Sequence, residues 1–196
     1  MIRRYGARSI YFREDHSTLN RNRTVKFCNF LLQKNIKIKW MCETRADVLD
    51  DYGYVQLMAD AGCSMFYIGV ESGSPRMLEY FKKGETVEQL QKAFKNIRKA
   101  GIQTYASFVL HAPTETHADR ALTEKLIETI EPDYVGKNSY VGLPGGELYS
   151  QLLQEKLYEY IDEFGITYPK SFFKNVKKYY GDSEYFKVYK KRRFRW

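Results

Sequence analysis

Cysteine is scarce in this 196-residue chain, and the three present, Cys28, Cys42 and Cys63, fall 14 and 21 residues apart. That spacing matches neither a zinc ribbon nor a CxxC redox pair. An odd number of scattered cysteines describes reduced, buried thiols behaving as small hydrophobes. No run approaches the roughly 18 to 20 apolar residues of a membrane span. The first residues, Met1-Ile2-Arg3-Arg4-Tyr5-Gly6, lack the apolar stretch of a secretory signal, so a cytoplasmic location is expected. Net charge is also missing from most of the chain. Of 32 Lys/Arg and 24 Asp/Glu, ten bases and only Asp182 and Glu184 lie from Lys170 onward, which leaves 22 of each sign before it.

The whole excess of +8 therefore sits in the tail. There, Lys187-Val188-Tyr189-Lys190-Lys191-Arg192-Arg193-Phe194-Arg195-Trp196 interleaves bases with aromatics. This composition suits phosphate contact with base stacking, and equally a solvated or docking tail. At 43% hydrophobic content the chain is long enough for one substantial core. We expect a main domain over residues 1–155 and a carboxy-terminal helical extension with the basic aromatic tail over 156–196.

What is abundant is alternation. Apolar, β-branched or aromatic runs recur at 9–12, 36–41, 65–70, 104–110 and 134–141, each followed by a segment of helical period. Val25, Phe27, Cys28, Leu31 and Leu32 give residues 21–33 an apolar helical face, and a second helix over 52–61 stops at Gly62. Ser74-Pro75 reads as an N-cap with proline at the first helical position. Thr86 and Gln89 form a capping box before Leu90, Ala93, Phe94 and Ile97. The spacing of Leu152, Leu153, Leu157 and Ile161 predicts a helix over 148–164. Strands alternating with helices every 30 residues or so predict a parallel α/β sheet, curved or closed, with every strand's carboxyl end on one rim.

That rim gathers chemistry. The run Met65-Phe66-Tyr67-Ile68-Gly69-Val70 reads as a fully buried strand that ends in Glu71 and Ser72. Glu14, Asp15 and His16 follow the first strand, Glu43 and Arg45 the second, and His111, Thr114 and Glu115 the fourth, which ends at Leu110. Such a mixed pocket suits a ligand with an ammonium, a carboxylate and sugar hydroxyls. Asp15 or Glu14 would accept from the amine, Arg45 would grip the carboxylate in a bidentate fork, and Glu71 with Ser72 would bond a ribose. Each residue also has a plainer role: Arg45 pairs with Asp47, Ser72 caps a turn, Glu14 is solvated, and His111 is either a proton-transfer group or a loop histidine with structural bonds.

The motifs Phe12-Arg13-Glu14-Asp15-His16-Ser17-Thr18-Leu19-Asn20, Trp40-Met41-Cys42-Glu43-Thr44-Arg45-Ala46-Asp47, Ala61-Gly62-Cys63 and Gly69-Val70-Glu71-Ser72-Gly73-Ser74 resemble, in order and spacing, strand-end motifs of radical S-adenosylmethionine (SAM) enzymes. The branch often fused to a cobalamin-binding domain is the nearest likeness. Ala112-Pro113-Thr114-Glu115-Thr116 and Leu143-Pro144-Gly145-Gly146-Glu147 are similar to its later motifs. The resemblance covers about residues 1 to 155. It implies an incomplete (β/α)6 TIM-like barrel, with Glu14 and Asp15 near the methionine amine, Arg45 near its carboxylate, Glu71 and Ser72 at the ribose, and the strand ending at Leu110 beside the adenine.

Two departures qualify that likeness. The family's first βα unit and its CxxxCxxC loop find no counterpart, and Cys28, Cys42 and Cys63 do not replace that triad, because a [4Fe-4S] cluster needs thiolates brought to one point. His111 and Thr114 stand where the family usually has glycine, which permits close backbone approach to a ligand. The expectation is a carboxy-terminal part of such an enzyme, inactive alone. A [4Fe-4S] cluster and cobalamin would belong to an intact parent, and the open strand edge would pair with a complementary amino-terminal chain or with itself. The competing expectation is a cluster-free nucleoside, nucleic-acid or protein-binding module.

Overall fold

A computed structural model describes residues 2–14 and 17–169. The basic tail, Asp15 and His16 lie outside the described residues. Element order is α1 (Ile2–Tyr5), β1 (Ser9–Phe12), α2 (Arg21–Gln33), β2 (Lys39–Thr44), a 3-10 turn (Asp47–Leu49), α3 (Tyr52–Asp60), β3 (Cys63–Glu71), α4 (Pro75–Tyr80), α5 (Val87–Lys99), β4 (Gln103–Leu110), α6 (His117–Ile130), β5 (Tyr134–Ser139), α7 (Glu147–Gln154), β6 (Tyr160–Ile161) and β7 (Thr167–Tyr168). β1 to β5 form a five-stranded sheet in sequential order. The β1/β2, β2/β3 and β3/β4 pairs are parallel. This is the α/β architecture of a partial TIM-like barrel. Among the described residues no helix is long and apolar enough to cross a membrane.

The chain divides into two compact units, one from residues up to 108 with 118–136, the other from 109–117 with 137 onward. In the first, side chains alternate across the sheet, apart from a slip at Ser64 and Met65 where the register between β2 and β3 shifts. Trp40, Cys42, Phe66, Ile68, Val70, Ala106 and Phe108 are buried against Cys28 and Leu31 of α2, Val55 and Met58 of α3, Leu90, Ala93, Phe94 and Ile97 of α5, and Leu126 and Ile130 of α6. The opposite face, with Glu43, Tyr67, Gly69, Glu71, Tyr105 and Ser107, is only half-buried. This corrects the expectation of a strand buried on both faces: β3 has one dry face and one that is half-buried. Period-2 alternation within an apolar run hides that difference, because Met65 and Tyr67 serve equally well on either side.

Local punctuation sets the element ends. Asp51 accepts from the Gly53 and Tyr54 amides and caps α3. Ser74 caps α4 with Pro75 at its first position, and Thr86 with Gln89 completes a capping box on α5. The second strand starts at Lys39 rather than at residue 36, because Asn35 turns left-handed (φ 49°) and the Ile36 amide closes α2 onto the Leu31 carbonyl at 2.9 Å.

In the second unit, the helix expected over 148–164 stops at Gln154. Lys156 takes φ 52°, the Leu157 amide returns to the Leu152 carbonyl at 3.0 Å, and Tyr160 and Ile161 then pair antiparallel with Tyr168 and Thr167. Leu157 and Ile161 keep helical spacing, but the left-handed Lys156 breaks the helix between them and Leu153.

Candidate functional site

Five charged side chains close on one another beyond the ends of β2 and β3. Arg45 forks onto Asp47, with Nε 3.1 Å from Oδ2 and Nη2 2.9 Å from it. The same Nη2 donates to the Lys83 carbonyl at 2.8 Å. Lys83 stands between two acids, its Nζ 3.3 Å from Glu71 Oε1 and 3.4 Å from Glu85 Oε2. Glu85 has no exposed side-chain surface, its Oε2 lies 3.6 Å from Arg45 Nη2, and its Oε1 accepts the Asp47 amide at 2.9 Å. Asp47, beside Arg45, holds the guanidinium pKa above its ordinary value. The contacts of Lys83 Nζ and of Glu85 Oε2, at 3.3 to 3.6 Å, are longer than tight charge-assisted bonds and leave capacity unused.

The backbone aims Glu71 into this group at a cost. Register between β3 and β4 shifts between Gly69 and Glu71, and Glu71 adopts φ 64°, a region non-glycine residues enter at about 1 to 2 kcal/mol. A bulge at a strand's end re-aims the side chain that follows it. Gly69 makes room for the result, since a Cβ there would lie 2.6 Å from Glu71 Oε1 and 3.2 Å from Lys83 Nζ. Lys82 (φ 52°) and Gly84 (φ 68°) turn the chain after α4 so that Lys83 and Glu85 face back to the sheet.

Two of these groups, Arg45 and Lys83, line a cavity of about 400 Å³ together with Glu43, Tyr67, Gly69 and Tyr105. Tyr67 stacks obliquely on Tyr105 and on Tyr11, with ring centroids 5.1 and 5.3 Å away. Tyr11 donates to Glu43 Oε1 at 2.7 Å. Burial, reinforced by the Glu43 carboxylate, pushes the Tyr11 phenol up to about 12. The cavity therefore combines an aromatic floor with a rim of both charge signs.

Of the residues expected at the rim, Arg45 and Glu71 are brought together, linked through Lys83. Glu14 instead pairs with Arg23 at 2.8 Å and lines a separate cavity of about 180 Å³ beside Thr18, Phe27 and Trp40. Asp15 is outside the described residues. Ser72 is 1% exposed. Its hydroxyl is 3.1 Å from Thr123 Oγ1 and accepts the Ser74 amide at 3.1 Å, so it ties the turn after β3 to α6. Leu110 is buried in the second unit, where His111 takes φ 63° and its Nδ1 lies 3.2 Å from Ser139 Oγ. A left-handed residue ending β4 fits a place where glycine is favoured. Lys83, Glu85, Tyr67 and Tyr105 were not expected; the one local signal was Gly84, set between two charges just ahead of a helix cap.

The three cysteines do not fit an iron–sulfur cluster. All are free and buried, and among the described residues no group of His, Cys, Asp and Glu is arranged to hold a metal. Burial pushes the thiols up, Cys28 to about 11, Cys42 to about 12 and Cys63 well above the ordinary 9. A cluster binds thiolates, the form this core disfavours. In the folded chain at pH 8, a disulfide dye should therefore react with none of them on the timescale that labels all three in guanidinium. Stability should be unaffected by these groups below about pH 9, then fall toward about pH 11 to 12, because in that window the unfolded thiols lose protons that the folded ones keep. Rapid labelling at pH 8 would contradict the buried placement.

Comparison with known proteins gives the same picture at larger scale. An uncharacterized methyltransferase of Pyrococcus horikoshii is 30% identical over 153 residues, covering 78% of this chain and 33% of the relative. The chain spans a third or less of the length of the curated relatives it matches. Apo OxsB, described as a cobalamin-dependent S-adenosylmethionine radical enzyme, shares the fold with a TM-score of 0.72 at 19% identity, over 91% of this chain and 34% of its own. TsrM of Kitasatospora setae, a radical S-adenosylmethionine methyltransferase solved with cobalamin and a [4Fe-4S] cluster, shares it with a TM-score of 0.63 at 16% identity, over 70% and 28%. The model of the Radical SAM superfamily matches residues 1–127, well over half the chain, and the protein belongs to that superfamily.

Proposed function

We propose that this chain is the SAM-holding part of a radical SAM enzyme, with the ligand lying across the carboxyl ends of β2 and β3. The observation that carries the reading is the meeting of Arg45, Lys83 and Glu71 beside the cavity that Arg45, Gly69 and Lys83 line. SAM presents a carboxylate, an ammonium and a ribose diol. Arg45, whose Nε and Nη2 are held by Asp47 and the Lys83 carbonyl, meets the first with its remaining Nη1, and Glu71, at the bulged end of β3, is a carboxylate acceptor for the diol. Ser72 supports this surface from behind through Thr123, and Glu14 serves it only indirectly through Arg23. The reaction class proposed for the intact enzyme is reductive SAM cleavage. Its [4Fe-4S] cluster would rest on residues other than Cys28, Cys42 and Cys63, and cobalamin, bound in the TsrM structure, would be held elsewhere in that protein.

Titration calorimetry of the full chain with SAM and with adenosine tests this. Both should bind. Arg45→Lys, which keeps the charge but loses the fork, should weaken SAM about tenfold, the value of one charge-assisted hydrogen bond, and leave adenosine unchanged. No heat with SAM, together with RNA binding that falls steeply with salt, would favour the nucleic-acid module instead.

A further inference from the structure

The placement of Lys83 between two acids is unexplained by ligand contact alone. Its Nζ is almost equidistant from Glu71 Oε1 (3.3 Å) and Glu85 Oε2 (3.4 Å), and neither contact has the 2.7 to 2.9 Å length of a strong ammonium–carboxylate bond. The two acids differ in kind. Glu71 keeps 24% of its side chain exposed, whereas Glu85 is fully buried. Glu85 is also anchored, since its Oε1 accepts the Asp47 amide at 2.9 Å. Its Oε2 is a buried oxygen with no hydrogen bond. An ionised oxygen left in that condition is costly, and the nearest group able to satisfy it is Lys83. Arg45, the other neighbour, already spends Nε and Nη2 on Asp47 and the Lys83 carbonyl.

We propose that Glu85 is a positioning residue that receives Lys83 when a ligand's ribose hydroxyls take Glu71. The inference rests on the SAM-holding reading above. In the free chain Lys83 is shared and Glu71 is partly masked. A diol approaching Glu71 must compete with the ammonium, and a lysine with nowhere to go would oppose binding. Glu85 supplies the second position a few tenths of an ångström away, at which the buried Oε2 gains its missing bond. The loss of one ion pair at Glu71 is then offset by the tightening of another behind it. Arg45 stays fixed by Asp47 throughout, so the carboxylate grip does not move while the ribose site clears.

A double-mutant cycle on the full chain tests this, with Glu85→Gln and Lys83→Met, alone and together, titrated with SAM and adenosine. Gln keeps an oxygen for the Asp47 amide but gives Lys83 no charge to move to. With Lys83 present, Glu85→Gln should weaken both ligands about tenfold, the worth of one hydrogen bond to a charged group. With Met at 83, the same change should leave both affinities within about twofold. A merely structural Glu85 would weaken binding equally in both backgrounds, and that result overturns the proposal. So does an unchanged affinity in the single Glu85→Gln variant. Urea unfolding of each variant identifies any that fail to fold, and Glu85→Asp, which keeps the charge, should restore at least part of the loss. A wild-type chain that binds neither ligand overturns the SAM-holding reading as well, so the two failures are told apart by the unmutated protein.

Discussion

Gly62→Ala is expected to lower the stability of the fold by roughly 2 to 4 kcal/mol, read as a fall in the urea midpoint with an unchanged slope. Two costs coincide there. Gly62 has φ 93°, and a Cβ would overlap the backbone carbonyl oxygen of Ile38, with Trp40 Cδ1 at 3.8 Å behind it. The left-handed conformation costs an alanine about 1 to 2 kcal/mol, and forcing backbone apart at the root of β2 and β3 about as much again. Two other glycines separate the terms. Gly101 has φ 72° and open space around it, so Gly101→Ala should cost only about 1 kcal/mol. Gly73 has no positive φ, yet its Cβ would come 2.7 Å from the Thr123 Cα, so Gly73→Ala should cost about 2 kcal/mol through crowding alone. A Gly62 variant no weaker than the Gly101 one would contradict the close packing of α3's end on β2.

Asp119→Ala should cost about 3 kcal/mol. Asp119 is a charged group on α6 that reaches the turn following β3. Its side chain is 7% exposed, it accepts from Ser74 Oγ at 2.6 Å, and it pairs with Arg76. Removing one partner of a buried pair costs about 3 to 5 kcal/mol when the other charge is trapped. Arg76 is half exposed and can turn to water, which places the loss at the low end. Ser74→Ala should cost less in the Asp119→Ala background than in the wild type, because the shared bond is already gone and only the cap on α4 remains to be lost. Additive losses would show that Ser74 acts only as a helix cap.

Much of the scaffold was legible because its signals are local. Ser74-Pro75 and Thr86 with Gln89 announce helix starts within four residues, and the same bonds appear in the fold. Gly62 announces a helix end by the conformation only it accepts. Arg45 and Glu71 were legible as strand-end residues, since parallel strands bring such positions to one rim. Lys83 and Glu85 were not. In Lys82-Lys83-Gly84-Glu85-Thr86 the charges read as a solvated approach to a capped helix, and only the paired left-handed turns at Lys82 and Gly84 fold them inward. Ser72 carried two readings, a ribose contact and a turn cap, and its bond to the Ser74 amide fits the second. A hydroxyl next to the rim carboxylate reads as a ligand contact, but its partner Thr123 lies 51 residues on, a distance over which sequence pattern carries no information. The helix beyond Gln154 failed for a similar reason, because periodic leucines persist through a break that one backbone angle at Lys156 creates.

The sealed thiols carry a practical consequence. Because Cys28, Cys42 and Cys63 lie within the core, the native sequence already serves as a silent background for attaching probes. A single cysteine placed at an exposed site such as Leu19 or Phe30 would take up a spin label or fluorophore alone, so distances across this protein are measurable without first stripping out its own sulfur.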